Sequence, residues 1–172
     1  MIELLSPAGS PESVIAAVQN GADAVYLGLG NFNARRGAKN FTDEEFAKAA
    51  RYCRVRGCKV YVTLNTLVGD REMRDVVEAA RLASDEGADG LIVQDLGMAA
   101  AIRRALPDIP LHASTQMSIH NLQGVEAAAE LGMTRAVLAR ELNLEQIRYI
   151  AKNAPIEVEV FVHGALCFCH SG

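Results

Sequence analysis

The sequence predicts an α/β fold, an incomplete TIM-type (β/α) barrel of about seven parallel strands. Three observations predict it. Short apolar runs rich in β-branched residues alternate with helix-like segments six times, and a seventh run opens the final segment. Gly21, Gly57, Gly87 and Gly132 each stand just past a helical segment, where a left-handed residue ends a helix. Polar residues follow nearly every apolar run, on the rim where barrel enzymes place their chemistry. A doubly wound open sheet shares the alternation, but the loop after the first run lacks a Gly-x-Gly-x-x-Gly fingerprint.

The elements follow in order. Residues 2–5 form a first apolar run. Ser10 caps a helix over 11–20 with Pro11 at its first position, and 24–27 is the next strand. A long loop over 28–41 carries Asn31, Asn33, Arg35, Arg36 and Lys39, the most basic patch in the chain. Thr42 and Glu45 make a capping box for a helix over 43–56. Strand 59–64 leads to Asn65, helix 70–86 to Gly87, and strand 90–93 to Gln94 and Asp95. Helix 96–105 stops before Pro107, and strand 110–113 leads to Ser114 and Gln116. Asn121 caps a helix to Leu131, strand 135–139 leads to Arg140 and Glu141, and Asn143 caps a helix to Asn153. In the last strand Val158, Val160 and Val162 alternate with Glu157, Glu159 and Phe161.

Half of the 172 residues are apolar, few are aromatic and none is Trp, so the core is built of Ala, Val, Leu and Ile. The net charge of −4 advertises neither a nucleic-acid nor a membrane surface. The first residues do not read as a signal peptide, and no apolar run is long enough to span a bilayer. Four cysteines in that setting point to a reducing, cytoplasmic compartment. A closed barrel needs roughly 250 residues and an eighth strand. The chain therefore reads as one N-terminal barrel domain over 1–172, cut before closure. Strands one and seven would be open edges, covered by a partner chain in a homo-oligomer or distorted near the ends.

Chemistry concentrates in the last stretch, where two cysteines and two histidines fall between His163 and His170. Cys167 and Cys169 supply part of a metal shell or are small apolar residues of a buried loop. Cys53 and Cys58 read as buried structural thiols. His163, at the end of strand seven, is a candidate catalytic residue facing the barrel mouth. His112 lies within strand five and its direction decides its role, whereas His120 reads as solvated. Asn65, Gln94, Ser114, Gln116 and Arg140 form a polar substrate-binding ring together with Asp95. Glu141 is a second catalytic candidate that orients Arg140, whose guanidinium suits a carboxylate or phosphate. Arg35 and Arg36 can reach an anionic substrate. Each of these residues also has an ordinary reading as a cap, ion pair or solvated charge.

Four stretches carry a family resemblance: Leu5-Ser6-Pro7-Ala8-Gly9-Ser10, residues 21–28, Asn33-Ala34-Arg35-Arg36, and residues 159–167 with Ser171-Gly172. Together they resemble peptidase family U32, the collagenase-like proteases. The resemblance implies an N-terminal barrel-like domain followed by more protein. The family name implies proteolysis of a peptide substrate. Several members are instead linked to oxygen-independent or prephenate-linked hydroxylation of RNA bases or of a quinone precursor, with a 4Fe-4S cluster held by cysteines. By that resemblance Cys167 matches a cluster ligand, Cys169 is a weaker match, and a further cysteine would follow Gly172 by about two residues. The residues present do not by themselves complete a cluster. The arginine-containing loop looks closest to members that act on ribosomal RNA. The resemblance thus implies an iron–sulfur-dependent RNA pyrimidine hydroxylation enzyme, with a peptidase and a non-catalytic barrel subunit as alternatives.

Overall fold

Period-two alternation sorts each strand's side chains onto two faces, and the two faces of this sheet are covered differently. The computed structural model describes residues 2–30, 32–33 and 40–164. It contains β1 (Leu5–Pro7), α1 (Pro11–Gln19), β2 (Ala24–Gly28), α2 (Asp43–Arg54), β3 (Lys59–Leu64), α3 (Met73–Glu86) and β4 (Gly90–Val93). There follow α4 (Leu96–Ala105), β5 (Leu111–Ala113), a 3-10 turn (Thr115–Met117), α5 (Leu122–Glu130), β6 (Arg135–Val137), α6 (Leu144–Asn153) and β7 (Glu157–Glu159). All seven strands are parallel and lie in chain order from β1 to β7. An unbroken order has no reversal point, so the doubly wound alternative is excluded.

The local signals behave as their physics requires. Ser10, Thr42, Asn121 and Asn143 each cap a helix by accepting a backbone N–H, and Thr42–Glu45 and Asn143–Gln146 complete capping boxes. Gly21, Gly57, Gly87 and Gly132 all have positive φ at helix ends. Several boundaries differ from the sequence expectation, three of them by about three residues. The first strand runs over Leu5–Pro7 and not over 2–5, because Pro7 sits on an edge strand where its missing N–H costs no ladder bond. The third helix starts at Met73 and not at Asp70, since the Glu72 carboxylate turns back to accept from Gly69 N at 2.8 Å. The last strand spans Glu157–Glu159 and does not continue through Val162.

Val25, Val60, Val62, Leu91, Leu111 and Ala136 point outward into one core with the helices. Ala24, Tyr61 and Ile92 point the other way and form a separate small cluster with Leu5 and Tyr26. A sheet with helices on one face and its own interior on the other is the arrangement of a barrel wall. Arg135 shows that the wall curls. Its Nη1 donates to Glu3, ahead of β1, at 2.7 Å, although β6 and β1 are five positions apart in the sheet. Its guanidinium also lies 5.2 Å from the Tyr61 ring centroid on β3. A flat sheet could make neither contact. Among the described residues β1 and β7 each pair on one side only.

The interior is polar at the N-terminal end of the strands. Arg135 Nη2 and Nε donate to Glu157 at 2.7 and 3.0 Å, and Nη1 approaches Glu159 at 3.5 Å. Glu3 also accepts from Lys59 at 2.8 Å and from the Tyr61 hydroxyl at 3.0 Å. Burial alone would raise the Glu3 carboxyl, but the hydrogen bonds from Arg135 and Lys59 outweigh it and hold it at about 2. His112, whose direction the sequence left open, points inward, is buried, and packs edge-on to Tyr61 with ring centroids 4.6 Å apart. Gly90 makes that packing possible, since a Cβ there would meet Pro110 O at 3.2 Å and Tyr61 at 3.3 Å.

Two outcomes follow from this interior. Arg135→Ala leaves the Glu3 carboxylate inside the barrel without its strongest partner and should destabilise the fold by about 3 kcal/mol in chemical denaturation. Burial lowers the His112 imidazole from 6.5 to about 4. The unfolded chain therefore takes up that proton first as pH falls from 6.5 to 4. Stability is undiminished above this window and drops through it by on the order of 3 kcal/mol. Glu3 acts below it, losing its contribution as pH falls from about 4.5 toward 2. His112→Phe should flatten the pH dependence of Tm between pH 6.5 and 4 and leave the acid limb in place.

Candidate active site at the barrel mouth

The C-terminal ends of the strands enclose a cavity of about 240 Å³. Its floor is set by Tyr26, Thr63 and Ile92, inward residues of β2, β3 and β4. The Thr63 hydroxyl is turned aside to donate to Leu27 O at 3.1 Å.

One wall comes from the ends of β3 and β5. Asn65 Nδ2 donates to Ser114 Oγ at 3.4 Å across the strand ends. Ser114 Oγ also accepts from Gln116 N at 3.3 Å, which starts the 3-10 turn Thr115–Met117. That turn brings Thr115 and Gln116 to the cavity, where Thr115 Oγ1 and Gln116 Oε1 are buried without a hydrogen-bond partner. Buried polar atoms left unpaired are costly, so these two mark local strain beneath the cavity wall among the described residues.

A second wall folds over from the loop after β2. Leu29 bridges Phe41, and the side-chain amides of Asn33 and Asn40 both donate to Gly30 O, at 3.3 and 2.6 Å. Gly28 leaves them room, because a Cβ there would come within 2.8 Å of Asn33 and 3.1 Å of Asn40. The third wall is Val137, Arg140, Glu159 and Phe161, with the Arg140 guanidinium 5.6 Å from the Phe161 ring centroid. Glu159 is only 19% exposed. Burial raises its pKa against the attraction of Arg135.

The structure thus brings Asn65, Ser114, Gln116 and Arg140 to one cavity. Gln94 is half-buried and not part of its lining. Asp95 caps α4 by accepting from Met98 N at 2.8 Å. Glu141 lies outside the cavity lining, with one carboxylate oxygen 3.6 Å from His120 Nε2. His120 is therefore not simply solvated. Its ring is 37% exposed, and Nδ1 meets Ser118 O at 2.5 Å. His163 is exposed and is not among the lining residues. Arg35, Arg36, Cys167, Cys169 and His170 lie outside the described residues. Among those described, no group of three or more His, Cys, Asp or Glu side chains is arranged to hold a metal ion. Cys53 and Cys58 are buried free thiols, and burial pushes Cys53 up to about 12, which disfavours the thiolate.

Sequence reasoning missed Glu159, Tyr26, Thr63, Asn40 and Phe41 as cavity residues. For Glu159 the signal was present, since Glu157, Glu159 and Phe161 share one face of a strand whose other face carries valines.

The model of peptidase family U32 matches residues 9–172. The chain belongs to peptidase family U32. Among its relatives, the 23S rRNA 5-hydroxycytidine C2501 synthase of Escherichia coli is 42% identical, covering 99% of this chain and 26% of the relative. The tRNA hydroxylation protein P1 of Bacillus subtilis is 38% identical, covering 99% of this chain and 40% of the relative. A collagenase of Porphyromonas gingivalis is also 38% identical, covering 99% and 43%. The chain thus spans less than half the length of these relatives. The solved structure of a U32 peptidase superposes with a TM-score of 0.76 at 16% identity, covering 93% of this chain and 68% of that one. At that identity the likeness supports the fold alone.

The wall built on Gly28 gives this U32 barrel a local test. Gly28→Ala should displace the side-chain amides of Asn33 and Asn40, read as shifts of their NMR resonances. The crowding should cost about 1–3 kcal/mol in chemical denaturation.

Proposed function

We propose that this chain is the substrate-binding barrel of an enzyme that hydroxylates a pyrimidine base in RNA, and that the mouth cavity receives the base extruded from its stack. The observation that carries the reading is the cavity itself. At about 240 Å³ it is smaller than the ~300–1,000 Å³ that holds a drug-sized ligand, and so suits one ring better than an extended peptide. Its walls are aromatic and amide-bearing. Tyr26, Phe41 and Phe161 offer ring surfaces to a base, and Asn65 and Gln116 offer groups that read base edges. Arg140 at the rim suits the phosphate that accompanies the base. The relatives named for hydroxylation of tRNA and for 5-hydroxycytidine synthesis in rRNA support the same reading.

The peptidase reading draws on the family name and on the collagenase relative. A cysteine or serine peptidase needs its nucleophile beside a base. The described lining holds Ser114 but neither a cysteine nor a histidine, and Ser114 Oγ is engaged with Asn65 and the Gln116 amide. The hydroxylase reading is therefore preferred.

A 4Fe-4S cluster is part of the proposal. The described residues do not fit one, so Cys167 and Cys169, with further thiols from a longer chain, would hold it. Bound there, it would supply one-electron chemistry that amino-acid side chains lack. This chain's own part is to stack the base, bond its edges and keep bulk water from it. Cytoplasmic location and a homo-oligomer that covers the edges of β1 and β7 belong to the same proposal. No helix among the described residues is long and apolar enough to cross a membrane.

The test is anaerobic purification of the full-length protein, with iron analysis, a visible spectrum and mass analysis of RNA nucleosides. The expected result is a brown protein that bleaches in Cys167→Ala, and a nucleoside one oxygen heavier that disappears when the gene is deleted. A colourless protein that cleaves collagen-like peptides and leaves RNA unchanged contradicts it.

A further inference from the structure

We propose that Glu159 is the proton-exchanging group of the mouth cavity, holding a proton on the carboxyl that faces the bound ring. The proposal rests on the RNA-base reading for the identity of the ring, but not for the proton itself.

The charge balance beneath the cavity carries the argument. Glu3, Glu157 and Glu159 converge on Arg135 from ahead of β1 and from β7. Lys59 on β3 adds a second cation, bonded to Glu3. Within this cluster beneath the cavity, three carboxylates thus face two cations. The short contacts to Arg135, both 2.7 Å, go to Glu3 and Glu157, while Glu159 is left with a contact of 3.5 Å. Glu157 is also 69% exposed, so water stabilises its charge, whereas Glu159 is 19% exposed. The carboxylate with the weakest ion pair and little water is the one that holds a proton most readily. Three further groups are packed around it. The Tyr61 hydroxyl on β3 donates to Glu3, and burial holds His112 on β5 neutral near pH 7. Arg140, after β6, shares the cavity wall with Glu159. Burial also raises the Glu159 carboxyl itself, in agreement with the geometry.

The backbone of Glu159 is fixed, because its carbonyl accepts from Leu138 N at 2.8 Å. Glu159 therefore lines the cavity from a strand end held in place, with its carboxylate also within 3.5 Å of Arg135. A neutral carboxyl there donates a hydrogen bond to an acceptor on the ligand, such as a pyrimidine carbonyl oxygen, and can pass or retrieve its proton with no change in position. Arg135 sets this protonation state from below without touching the ligand, as a positioning residue.

The experiment uses the full-length protein with its cofactor and has two independent readouts. Infrared difference spectra over a pH titration should show a carboxylic-acid band that titrates above the ordinary glutamate value of about 4.3. The band should be missing in Glu159→Gln. Its absence from the wild type overturns the proposal whatever the enzyme does to RNA. In the hydroxylation assay, Glu159→Gln should lower kcat by roughly 100-fold or more, leave the Kd for RNA nearly unchanged and flatten the pH profile. Glu159→Asp should restore part of the rate and the pH dependence. An unaltered rate and pH profile in Glu159→Gln also overturns it. If the wild type hydroxylates no RNA yet shows the band, the RNA reading fails and the protonated Glu159 stands.

Discussion

Arg135 is the interaction on which the rest of this structure depends. Its guanidinium spans the interior from β6 to Glu3 ahead of β1 and to Glu157 and Glu159 on β7. These partners meet only if the sheet curls, so the ion cluster and the barrel wall are one feature seen at two scales. Two charges in a protein interior repay their lost hydration only with good geometry and further hydrogen bonds. Here Lys59 and Tyr61 supply those bonds to Glu3. The cluster also fills the lower interior with polar side chains. What remains open lies above it, at the mouth.

That division of the interior gives the cavity its character. The outward strand residues build an ordinary apolar core with the helices, and that core says nothing about function. The inward residues change along the strands from the ion cluster, through Tyr61, Ile92 and Tyr26, to Asn65, Ser114 and Gln116 at the rim. Glu159 belongs to both ends, touching Arg135 below and lining the cavity above. The ion cluster can therefore tune the mouth electrostatically through Glu159 without itself meeting the ligand.

Much of the fold was legible in the sequence because its signals are local. A Ser, Thr or Asn cap, a glycine past a helix and a short β-branched run each act within a few residues, and Ser10, Thr42 and Gly87 behaved accordingly. Boundaries drifted where the deciding contact was less apparent, as at Glu72 folding back on Gly69. Of the candidate site, the polar rim was legible as a class but not residue by residue. Asp95 and Ser114 both follow strands. Asp95 is committed to a helix cap, whereas Ser114 caps a turn and still lines the cavity. Glu159 escaped notice because an acidic residue on a strand normally reads as solvent-facing, and only the curl of the sheet puts it inside. The 3-10 turn that presents Gln116 combines a Ser114 side-chain bond with two backbone bonds, and no sequence motif announced it.

The central claim is that a single RNA base enters the mouth cavity above the Arg135 cluster. Photo-crosslinking of the full-length protein to RNA substituted with 4-thiouridine, followed by peptide mapping, tests it most directly. The account predicts crosslinks to peptides carrying Tyr26, Phe41 or Phe161, suppressed by competing unmodified RNA. Crosslinks confined to the outer helices, with none at the mouth, would contradict it.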